Sequence, residues 1–181
     1  MADIFLDDVR GYWRDLAAPA FEEFWREYQS DGEFSGSRVI LVYRRMIAAA
    51  FFLNHLADKA ATLQGLTNPI QLINLIKIQD PDSANQMDAC RHFVNDAKHE
   101  MKRIQEASLR SREANFDNEG AGKVLQFNML STDGKCLYDL CLTVCAVWRF
   151  WISYFDGSSE VNFRDAISQR AGANTSSPGS C

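Results

Sequence analysis

Several familiar chemical signatures are missing from this 181-residue chain. It has no Gly-rich phosphate loop, no Gly-x-Ser-x-Gly elbow, no His-Glu-x-x-His pair and no dinucleotide fingerprint, so none of the chemistries those motifs define is expected. Cysteine is sparse and odd in number. Cys90, Cys136, Cys141, Cys145 and Cys181 lack both the close pairs of a zinc module and the density of a disulfide scaffold, which predicts reduced thiols. Cys141 and Cys145, four apart in an apolar segment, read as small core residues. A basic excess is missing too: 19 Lys+Arg against 24 Asp+Glu leave a net charge of −5, which argues against coating a polyanion as the main task. The opening residues lack a basic start, and acids interrupt their apolar run. No secretory leader is therefore expected, and the expected compartment is the cytoplasm.

The 46% hydrophobic content is enough for one core. We read a mainly α fold, a helical bundle with a small inserted β-hairpin, occupying residues 1–156 as a single domain. Residues 1–33 carry nine acids against three bases. Tyr12-Trp13-Arg14-Asp15 is echoed by Phe24-Trp25-Arg26-Glu27, with Pro19 between them, which predicts two short amphipathic helices with Pro19 in the first turn of the second. Residues 37–63 contain neither Gly nor Pro and predict a long helix capped by Ser37, its apolar middle covered all round. Gly65 and Asn68-Pro69 stop and restart the chain, and Ile70–Ile78 is a short apolar helix or connector.

Asp80-Pro81 starts the next helix, which the regular stripe Met87, Cys90, Val94, Ala97, Met101 and Ile104 extends to about Ala107. Leu109–Phe116 is a candidate strand, and 117–122 reads as a flexible loop. Alternation over Lys123–Leu130 and the turn Thr132-Asp133-Gly134-Lys135 predict a hairpin over 123–137. Asp139 caps a final apolar helix to Phe155. That run is marginal for a bilayer and contains Arg149, so no membrane span is expected. Trp148, Trp151 and Tyr154 on it could line a homodimer interface. Residues 157–181, rich in Gly, Ser and Asn, are expected to be a disordered tail.

Of three histidines, His92 and His99 share one helix. At about 100° per residue, Arg91, Asn95 and His99 step four at a time and drift by about 40° each, so they project from one sector beside the apolar stripe. Lys98 and Lys102 fall in or next to it. Between Arg91 and Arg112 six bases face three acids, a local +3 in an acidic protein. Arg can hold phosphate oxygens, Asn can orient a hydroxyl, and His can remove a proton, so the set suits metal-free phosphodiester chemistry. The competing reading is a set of ordinary polar residues on a helix flank.

The segment Arg91-His92-Phe93-Val94-Asn95-Asp96-Ala97-Lys98-His99, the Asp133-Gly134 turn and the later Trp148-Arg149 helix resemble a group of uncharacterised bacterial helical proteins with an Arg-x3-Asn-x2-Lys-His motif. More distantly the chain is similar to HEPN helical domains, many of which are metal-independent ribonucleases or nucleotide-binding modules. The resemblance covers roughly residues 85–155. It implies a homodimer whose paired helices form an RNA-cleaving cleft, with His99 assisting the ribose 2′-hydroxyl, Arg91 holding the scissile phosphate, and no cofactor.

Two further sets remain. His92, Asp96 and His99 share an outward face and could bind zinc if His55 or Asp58 supplied a fourth ligand, although no metal is our expectation. His55 precedes Asp58 by one turn, so an imidazole–carboxylate pair forms easily; it is a secondary site that could face the Arg91 sector if the two long helices pack antiparallel. The alternative to RNA or nucleotide chemistry is a non-catalytic homodimeric interaction protein.

Overall fold

The computed structural model describes residues 8–30, 34–99, 104–112, 122–131, 133–159 and 161. Asp8 accepts from the Gly11 N–H and caps α1, Val9–Tyr12. The chain does not break before Pro19. It widens into a π-helical turn, Trp13–Ala17, and continues as α2, Ala18–Gln29. Proline lacks an N–H and crowds the carbonyl four residues back. The π turn shifts that ladder, and the Ala18 N–H reaches back five residues to Trp13. The two predicted helices are therefore one rod.

That rod carries Trp13 and Phe21 onto the last helix, where both stack on Trp148 at 4.5 and 4.2 Å between centroids. Trp151 is fully buried within the chain, against Phe150, Tyr154 and Phe155. Trp151 is thus taken up within the chain, while Trp148, stacked by Trp13 and Phe21, and Tyr154 are half-buried.

The long helix α3, Gly36–Leu63, is capped by Ser35, which accepts from the Arg38 N–H at 3.3 Å, rather than by Ser37. Ser35 alone holds the extended backbone a cap needs. Met46, Ala49, Ala50, Leu53 and Leu56 are buried, while Ala48, Phe51 and Phe52 are half-covered, so coverage is less than complete. Small residues let α5 approach closely: Cys90 Sγ lies 3.8 Å from the Ala50 carbonyl. Among the described residues α3 is the one helix long and apolar enough to cross a bilayer. Here its buried face packs on α2, α4, α5 and α6. It ends at Gly65, φ +71°, where the Leu66 N–H bonds the Ala61 carbonyl and the Gly65 N–H bonds that of Thr62, closing the last turn.

Helix α4, Pro69–Gln79, and α5, Pro81–His99, begin as the sequence predicts, capped by Asn68 and Asp80 with proline first. α5 is described as far as His99, and 100–103 lie outside the described residues. Ile104–Ser111 is strand β1, antiparallel to β2, Lys123–Leu130, with Ile104 opposite Met129. Pairing with β2 overrides the helical period that Ile104 and Ala107 appeared to continue. β1 also begins five residues before the predicted strand; 113–116 lie outside the described residues, as does the predicted loop except Gly122.

β2 buries Leu125, Phe127 and Met129 as expected. β3, Cys136–Asp139, completes a three-stranded sheet in the order β1-β2-β3, larger than the predicted hairpin. The tight turn uses Gly134 at φ +82°. Asp139 ends β3 and caps α6, Leu140–Asp156, accepting from the Cys141 and Leu142 N–H groups at 2.9 and 3.4 Å. After Gly157 the Ser159 N–H bonds the Ser153 carbonyl and Val161 joins the core, so the start of the predicted tail folds back on α6. Residues 162–181 lie outside the described residues.

Candidate functional site

On α5 the predicted sector separates into parts. The Arg91 guanidinium, 19% exposed, bonds Asp88 Oδ1 through Nε and Nη2 at 3.0 and 2.8 Å and donates to His92 Nε2 at 3.0 Å. All these partners lie toward the start of α5 or beside it. His99 stands eight residues further on, about 12 Å along the axis. Arg91 and His99 therefore do not converge within one chain. Asn95 and His99 are exposed. Lys98 is exposed too, but its ammonium lies over the Phe51 ring of α3, 5.4 Å from the centroid. Lys102 lies outside the described residues.

His55 and Asp58 do pair: Nδ1 stands 2.9 Å from Oδ2, one turn apart on α3. They line an open cleft of about 390 Å3 with Asp8, Val9, Lys59 and Leu63. The Tyr12 ring lies 5.4 Å from the imidazole and 5.1 Å from the Lys59 ammonium. Burial, assisted by the Asp58 charge, pushes the Tyr12 phenol up to about 12. His55 thus contacts α1 and not Arg91. Its link to α5 is indirect: Phe51, which carries Lys98, sits one helical turn before His55 on the same flank of α3.

When Nδ1 donates to the carboxylate, the other ring nitrogen of a neutral imidazole is left as an acceptor. Lys98 lies over Phe51, one helical turn before His55 on α3, and His99 follows Lys98 in the chain.

No family model, curated protein or solved structure matches the chain.

The zinc alternative finds no cluster: among the described residues no three His, Cys, Asp or Glu side chains stand close enough to share a metal. His92 is engaged by Arg91, with Asp88 Oδ2 at 3.5 Å. Cys90, Cys141 and Cys145 belong to the core, whereas Cys136 is exposed. Burial pushes Cys90 up to about 12 and Cys141 well above the usual thiol range, which removes them from nucleophilic chemistry at neutral pH.

One polar network escaped the sequence reading. Arg110 on β1 donates to Asp139 Oδ2 at 3.1 Å and to the Tyr28 hydroxyl, joining the sheet, the cap of α6 and the end of α2. Tyr28 and Asp139 are nearly covered, and burial raises both groups. Arg110 and Asp139 stand 29 residues apart and Arg110 and Tyr28 82 apart, so only strand register brings them together.

Proposed function

We propose that this chain is a HEPN-like helical protein that binds the phosphate of RNA or a nucleotide at the cleft beside the His55–Asp58 pair of α3 and cleaves RNA without a metal. The observation that carries the reading is the His55–Asp58 pair, an imidazole held by a carboxylate at an open cleft, with Lys98 over Phe51 one helical turn earlier on α3. In this reading His55 Nε2 takes the proton of the ribose 2′-hydroxyl as that oxygen attacks phosphorus. The bond to the 5′-oxygen breaks, His99 returns a proton to that leaving oxygen, and a cyclic phosphate and a 5′-hydroxyl result. Lys98 offsets the charge that builds on the phosphoryl oxygens, and Asn95, one turn before His99, orients the ribose. Arg91 supports α5 through Asp88.

The cytoplasm suits the free thiols Cys90, Cys136, Cys141 and Cys145. A homodimer would bring a second α5 to the surface. The non-catalytic reading draws on Leu109 and Leu137, 43% and 49% exposed on the two outer strands, as apolar contacts for a second copy.

The test is incubation with mixed single-stranded RNA in chelator, scoring cyclic-phosphate ends. Wild type is expected to cleave, His55→Ala and His99→Ala to lose about 100-fold or more, and Arg91→Gln to change little. Absence of cleavage by wild type, together with absence of nucleotide binding, overturns the reading in favour of the interaction protein.

A further inference from the structure

We propose that Tyr12 is a positioning residue for His55: its ring walls in the imidazole so that Nδ1 stays on Asp58 and Nε2 is left for the cleft. The proposal rests on the reading of His55 as the base.

His55 needs such a wall. It lies on an open helix face with its side chain 55% exposed, where an imidazole is free to change rotamer and abandon a carboxylate three residues away. Tyr12 reaches it from a different element, the end of α1. The phenol ring is 7% exposed, lies 5.4 Å from the imidazole with planes at 54°, and is backed edge-on by Phe52 at 6.1 Å. Its position is therefore fixed by packing on a second residue of α3, one turn before His55.

The same ring holds the Lys59 ammonium at 5.1 Å. The charged and titratable groups around the imidazole are then Asp58 and Lys59 from α3, and Tyr12 and the capping Asp8 from α1. Only Asp58 bonds the ring. Consecutive aromatics diverge here: Tyr12 goes to α3 and Trp13 to α6.

Nitrogen-15 NMR of the imidazoles reads the arrangement directly. Wild type is expected to show neutral His55 as the Nδ1–H tautomer, with a cross-peak between the Tyr12 and His55 rings. Tyr12→Phe keeps the ring and is expected to preserve both. Tyr12→Leu removes it and is expected to mix the tautomers, lowering kcat for RNA cleavage roughly tenfold or more with KM unchanged. An unchanged tautomer in Tyr12→Leu overturns the proposal. So does a missing Tyr12–His55 cross-peak in wild type, a measurement that needs no variant to fold. A changed tautomer with no RNA cleavage by any form upholds the positioning role and removes the base role from His55, so the two failures are distinguishable.

Discussion

Asp139 is pulled in two directions. Burial pushes its carboxyl above the ordinary carboxylate range, against the Arg110 guanidinium and the N–H groups of Leu142 and Cys141, which favour the charge. In the folded chain it therefore keeps its proton to a higher pH than in the unfolded chain. Its stabilising contribution is complete below about pH 4 and is lost as pH rises through the folded value. Asp15, Asp133 and Asp156 have the opposite sign, held down by hydrogen bonds from Arg14, Ser131 and Ser158; what they contribute is present above about pH 4 and lost on acidification. Asp139→Asn keeps a capping side chain and removes the titration. Urea unfolding of the two forms is expected to show the wild type losing stability relative to Asp139→Asn as pH rises above about 4; a relative gain would contradict the assignment.

The residue scale also explains why the basic patch was over-read. Of its six cations, Arg91 is bonded to Asp88, Arg110 to Asp139, and Arg112 is 8% exposed. The first capture was legible, since Asp88 stands three residues before Arg91 on the same helix. The second was not, because it needs the register of β1 and the end of β3. The His55–Asp58 pair was legible for the same reason as the first: both groups lie on one helical turn.

Among elements, local grammar predicted beginnings better than ends. Asn68-Pro69, Asp80-Pro81 and Asp139 start α4, α5 and α6 as their cap chemistry requires. The end of α5 was misjudged because its apolar spacing continued into residues that pair with β2 instead, and a pairing partner some twenty residues away leaves no mark on local periodicity. The aromatic stripe of α6 likewise has partners that local sequence does not reveal: Trp13 and Phe21 stack on Trp148. Trp148→Ala removes the stacking partner of both Trp13 and Phe21 and is expected to cost about 3 kcal/mol of stability, read by thermal and denaturant unfolding. Sedimentation should be unaltered. A changed oligomeric state with stability intact would mean that Trp148 meets another chain instead.

For the molecule as a whole, composition and patterning were enough to expect a mainly α fold with a small β insert, and the structure has that form. Where a site could sit was less accessible. Arg91, Asn95 and His99 share a sector of one rod, but sharing a sector does not bring side chains together when the rod is about 12 Å long between them. Crossing between rods does, and the crossing of α3 by α5 carries Lys98 to Phe51, one helical turn before His55. The account therefore turns on one claim: His55, Lys98 and His99 serve a single anion. Titration with a ribonucleoside 3′-monophosphate, followed through the imidazole resonances, tests it most directly. His55 and His99 are expected to shift together with one Kd, and Lys98→Gln is expected to weaken that Kd. Resonances that stay still, or that move with unrelated affinities, would contradict a shared site.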